Sequence, residues 1–112
     1  MDLVIASTNS NLRDGLRALS ALGDFRIAGE GRTADETFQL VALHQPQALV
    51  FGADLLAVDA TLPERCRLSC PDLKIILLEG EVDWVHTLAP VDALVRKTSS
   101  LGALARVIES LR

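Results

Sequence analysis

Gln45-Pro46-Gln47-Ala48-Leu49-Val50-Phe51-Gly52-Ala53-Asp54-Leu55 is the stretch on which the reading of this chain turns. Pro46 cannot continue a helix and ends whatever precedes it. The run Ala48 to Phe51 has no polar residue, which is the pattern of a strand covered on both faces. Gly52 then closes the strand without a side chain, and Asp54 follows two residues on.

Outward from this strand the same logic repeats. Leu3-Val4-Ile5-Ala6 is a second buried strand, closed by Ser7-Thr8-Asn9-Ser10, residues that favour turns and helix caps. Leu12, Leu16, Leu19 and Leu22 recur at helical spacing, and Gly23 suits the left-handed end of that helix. Phe25 to Ala28 reads as the next strand. Thr33 and Glu36 form a capping-box pattern that opens a helix stopping before Pro46. Leu73 to Leu78 is the fourth strand in chain order, and Asp92 to Arg96 a weaker fifth. A helix is expected over Pro63 to Cys70, about two turns over Val82 to Ala89, and a last helix from about Ser99 through Leu101, Leu104, Ala105, Ile108 and Leu111.

Strand and helix thus alternate five times. Parallel neighbours need crossover connections, so the fold class expected is α/β, a five-stranded parallel sheet with helices on both faces. With 112 residues, 49% of them hydrophobic, the chain suffices for one domain over residues 1–112. No apolar run approaches the roughly 20 residues of a membrane helix. The N-terminus has no basic leader, which implies a cytoplasmic chain with reduced thiols. A net charge of −4 and the absence of Tyr argue against direct nucleic-acid binding.

Four strings in order carry a resemblance to a known family. Leu12 to Leu19 resembles the first helix of response-regulator receiver domains, especially the subfamily with a C-terminal helix-turn-helix. Ala28-Gly29-Glu30-Gly31 is similar to its Val-Gly-Glu-Ala. Gln45 to Leu55 resembles its Arg-Pro-Asp-Val-Val-Leu-Leu-Asp-Leu-Asp-Leu, and Pro90 to Lys97 its Gly-Ala-Asp-Gly-Tyr-Leu-Leu-Lys. The resemblance implies a CheY-like, flavodoxin-like sheet.

It also implies a phosphorylation pocket, which this sequence lacks the chemistry to run. Where the family has two acidic Mg²⁺ ligands, the chain has Ser7 and Thr8, neutral hydroxyls that do not replace carboxylates. The acceptor aspartate is Gly52, and the phosphoryl-sensing hydroxyl is Glu79. Lys97 alone matches. Asp54 is the candidate for a displaced acceptor, although it corresponds to a second aspartate beyond the strand end. A Lys97–Glu79 pair could fix one conformation, or could be a solvated pair of little consequence.

The segment Glu79 to Pro90 is shorter than the family leads one to expect by about four residues, one helical turn, so the fourth helix should be shortened. Trp84 there could anchor a partner or cover the sheet. His86 and His44 read as surface histidines. Cys66 and Cys70, four apart, read as small buried apolar residues, with no further Cys or His pair to complete a metal site. No catalytic residue, metal or cofactor is expected, and neither His can be set beside Ser7 to make it a nucleophile.

The expectation is a phosphorylation-independent receiver-like module that works by protein contact. Its partner would be another protein or a second copy, through Trp84, Leu94, Leu104 and Ile108, in signalling or transcription control; a DNA-binding domain could follow Arg112. Two competitors stand beside it. One is a small-anion or metabolite site in the vacated pocket of Ser7, Thr8, Gly52 and Lys97; the other is redox chemistry at Cys66 and Cys70.

Overall fold

The computed structural model describes residues 1–79, 91–96 and 100–111. Its strands are β1 (Asp2–Ala6), β2 (Arg26–Gly31), β3 (Ala48–Gly52), β4 (Lys74–Glu79) and β5 (Ala93–Arg96); its helices are α1 (Ser10–Arg17), α2 (Ala34–His44), α3 (Ala53–Val58), α4 (Leu62–Ser69) and α5 (Leu101–Ser110). The sheet order is β2-β1-β3-β4-β5, and every neighbouring pair is parallel. The α/β class expected from the sequence is therefore the observed one.

Alternation along the strands divides the core in two. Val4, Ala6, Leu49, Phe51, Ile75 and Leu77 point to the face covered by α2, α3 and α4. Leu3, Ile5, Ala48, Val50, Ile76 and Leu78 point to the face covered by α1 and α5. The apolar runs carry no polar interruption because both faces are spent on packing, each buried Leu or Ile contributing roughly 1.5–3 kcal/mol.

Local signals set the helix ends. The Asn9 side chain caps α1 by accepting from the Asn11 and Leu12 amides. Thr33 caps α2 by accepting from the Glu36 amide; Glu36 in return accepts from the Arg32 amide at 3.0 Å, one residue before the position a standard capping box uses. Gln45, at φ 47°, gives α2 its left-handed end, and its side-chain Nε2 donates to the Ser69 carbonyl at 2.9 Å, tying the ends of α2 and α4 together.

Several expectations need correction. The first helix ends at Arg17, and Ala18–Ala21 winds as a 3₁₀ turn, which buries Leu19 and leaves Leu22 45% exposed. Strand β2 runs to Gly31. A separate helix, α3, starts directly after Gly52, where only the end of a strand was expected. Ser100, not Ser99, caps α5. Leu104 and Ile108 are 4% and 0% exposed and lie in the α1/α5 core, so they are not part of a free surface: the apolar stripe of the last helix is used up against the sheet. Leu94 is 41% exposed. The shortened fourth helix, Trp84 and His86 lie outside the described residues. Among the described residues no helix is long and apolar enough to cross a membrane.

Candidate functional site

The sheet order reverses direction between β1 and β3, and in open α/β sheets the crevice beyond the carboxyl ends at such a reversal is the place where sites form. Ser7 and Thr8 leave β1 there, and Gly52 and Asp54 leave β3 beside them. Sequence reasoning assembled Ser7, Thr8 and Gly52 at this corner, and the structure brings them together. Glu79 ends β4, in register with Arg96 of β5. Lys97 lies outside the described residues, and so does the Lys97–Glu79 pair.

The chain coils into α3 straight after Gly52, so Asp54 falls at the second position of a helix. Acidic residues favour that position, where free amides and the helix dipole meet them. The coil turns the carboxylate back toward β1. Thr8 donates to Asp54 Oδ2 twice, from its amide at 2.6 Å and from its hydroxyl at 2.7 Å. The Ser7 hydroxyl faces both carboxylate oxygens, at 3.1 and 3.2 Å, and itself accepts from the Asn9 amide at 3.0 Å. The same turn is held from two further sides: the Ser7 amide donates to the Gly31 carbonyl at 3.0 Å, and Arg13 Nη1 donates to the Ser7 carbonyl at 2.7 Å.

Ser7 is fully buried, so its hydroxyl needs these partners. Burial pushes the Asp54 carboxyl up, but the bonds from Thr8 and Ser7 outweigh it and hold it below the ordinary aspartate value. Asp54 is therefore an ionised carboxylate at neutral pH, and its hydrogen-bond donors among the described residues, Ser7 and Thr8, are neutral.

Gly52 explains where that carboxylate sits. A Cβ built on Gly52 would come inside 3.0 Å of Asp54 Oδ1, a separation real Cβ atoms do not show. The volume a side chain at position 52 would need is filled by Asp54. The sequence presented Asp54 as a displaced acceptor and missed its role as the occupant of the pocket. The usable signal was an acidic residue two after a strand-ending glycine, opposite a Ser-Thr pair.

The other candidates are quieter. His44 is exposed at the end of α2. Cys66 and Cys70 are free and buried; burial pushes the Cys66 thiol up to about 11, and Cys70 upward too, which removes the thiolate on which redox chemistry depends. Among the described residues, no group of three His, Cys, Asp or Glu is placed to hold a metal ion.

The architecture is that of the response-regulator receiver fold. The receiver domain of AraT from Geobacillus stearothermophilus superposes with a TM-score of 0.80 at 20% identity, over 98% of this chain and 91% of that one. A DNA-binding response regulator of the LuxR family from Staphylococcus aureus gives 0.78 at 21%, over 98% and 97%. The receiver domain of RcsB from Salmonella enterica serovar Typhimurium gives 0.83 at 16%, over 99% and 87%. At these identities the likeness is one of fold. No family model matches the sequence, and no curated protein matches it.

Proposed function

We propose that this chain is a receiver-like signalling domain that works without phosphorylation, by binding a protein partner or a second copy of itself, in the control of transcription or of a signalling pathway. The observation that carries the reading is the Asp54 carboxylate standing where an acceptor side chain at Gly52 would stand, tied down by Ser7 and Thr8. A phosphoryl group has no residue to join at position 52, and the space next to that backbone is taken by the Asp54 carboxylate. The same charge disfavours the competing small-anion site, since an incoming anion meets a carboxylate at close range in a partly desolvated corner. The raised thiols disfavour redox chemistry at Cys66 and Cys70.

With the α5 stripe buried, contact falls to the apolar side chains the described fold leaves outside. Leu94 on β5 remains from the expected set, and Leu43 and Leu68, near the joined ends of α2 and α4, are 75% and 85% exposed. The relatives in fold include DNA-binding regulators, which fits a DNA-binding domain elsewhere in a longer chain.

The test is incubation of the chain, and of its Gly52→Asp variant, with a small phosphodonor and Mg²⁺, followed by intact mass. Neither should gain a phosphoryl group, because the natural chain has no side chain at position 52 and, in the variant, Ser7 and Thr8 do not supply the missing carboxylates. A gain by the natural chain overturns the reading. Sedimentation over a concentration series, repeated with Leu94→Asp, then reports whether the contact is to a second copy.

A further inference from the structure

Gly52 has φ −80° and ψ 149°, extended backbone open to any L residue, so the backbone does not ask for glycine here. The demand comes from the neighbours. Three atoms crowd the missing Cβ: Asp54 Oδ1 inside 3.0 Å, Leu12 Cδ2 at 3.1 Å and Ser7 Oγ at 3.3 Å. Only the first forces a group out of the way: the Asp54 carboxylate, a side-chain end that can rotate but only by giving up its bonds to Ser7 and Thr8. Leu12 has a second role, since it also walls a cavity of about 170 Å³ between α1, α5 and the ends of β4 and β5, together with Leu16, Leu78, Val95, Leu101 and Leu104.

We propose that a side chain at residue 52 and the Asp54 carboxylate are alternative occupants of one volume, and that the choice between them is passed through Leu12 to the packing of α1 against α5. This rests on the reading of the corner as closed to phosphorylation, and adds what holds it closed. With Asp54 seated, its bonds pin the Ser7–Thr8 turn to the start of α3, and Leu12 keeps its place at the lip of the cavity. Expelling the carboxylate frees the Thr8 amide and hydroxyl and leaves the buried Ser7 hydroxyl without its acceptor. A side chain at position 52 also presses on Leu12, and the cavity gives that side chain somewhere to go. Close packing makes such a shift discrete rather than gradual.

A double-mutant cycle of Gly52→Ala and Asp54→Ala tests this, read by melting temperature, by exchange of the Thr8 amide and by the methyl spectrum of Leu12. Gly52→Ala in the natural chain should lower Tm by about 5–10 °C, and in the Asp54→Ala background by less than about 2 °C. Thr8 amide exchange should accelerate roughly tenfold or more in either single variant. The Leu12 methyls should shift in Gly52→Ala, with Leu104 following. If Gly52→Ala alone does not fold, the double variant must. Equal cost in the two backgrounds, a Thr8 amide still protected in Gly52→Ala, or a double variant that also fails to fold overturns the proposal. A phosphoryl gain by the natural chain would instead overturn the functional reading and leave the cycle standing.

Discussion

Asp54 and Asp59 bracket α3, and the same functional group does different work at its two ends. Asp59 accepts from the amide and hydroxyl of Thr61, two residues on, and from Arg65. Arg65 also reaches Asp35 and lies over the Phe38 ring, 4.8 Å from its centre. Asp59 thereby shapes the local entry into α4 and draws a cation. Asp54, besides its own amide, accepts from Ser7 and Thr8, 47 and 46 positions away, which are neutral donors. A carboxylate that closes a short turn stabilises what the chain already favours, whereas one that joins distant turns fixes tertiary structure.

The largest expected difference is in stability. Asp54→Ala strands the buried Ser7 hydroxyl and should cost about 2–3 kcal/mol in chemical denaturation, against about 1 kcal/mol for Asp59→Ala, where water can replace the lost partners. Equal costs would erase the distinction between the two ends of α3.

Acid sharpens it next. Burial raises the Asp54 carboxyl, but the Thr8 and Ser7 bonds win and its folded value lies below its unfolded one. Such a group adds stability above its unfolded value and loses it as pH falls through its folded value. The stability advantage of the natural chain over Asp54→Asn should therefore hold at neutral pH and fade below about pH 4, in urea melts taken at successive pH values. Asp59 is also lowered, by Thr61 first and with help from Arg65, so Asp59→Asn should show a fading of the same sign.

Salt should produce the smallest effect and the cleanest separation. Raising NaCl from 0.1 to about 1 M shortens the screening length from roughly 10 to 3 Å, which weakens the Asp59–Arg65 attraction. The cost of Asp59→Ala should shrink by a few tenths of a kcal/mol, while that of Asp54→Ala, whose hydrogen-bond donors among the described residues are neutral, should change less. An Asp54 as salt-sensitive as Asp59 would point to a cation paired with its carboxylate.

The sheet was legible because its strands are apolar without interruption, and that pattern admits few readings. The starts of α2, α4 and α5 were legible to within a residue, Thr33 because it advertises a cap, and the last helix because Ser99, expected to begin it, stands beside the Ser100 that caps it. The corner was legible as a place, because Ser7, Thr8 and Gly52 follow strands that must lie side by side. Asp54 was not legible as the occupant: its direction depends on α3 starting one residue after the strand, and Ala53 to Val58 is too short and too apolar to announce a helix. The stripe of Leu104 and Ile108 misled for a different reason. Spacing identifies an apolar face but does not say whether a sheet or a partner covers it.

One detail at the far edge bears on how such a chain can change over time. The Asp92 amide donates to the Ile75 carbonyl at 2.8 Å, and the Ile75 amide donates to the Asp92 carboxylate at 2.7 Å, a reciprocal clasp just before β5. The alignment of the edge strand is thus set from its own first residues, independently of the length of chain that leads into it. A change of length ahead of Asp92 should therefore leave the register of β5 on β4 where this clasp sets it.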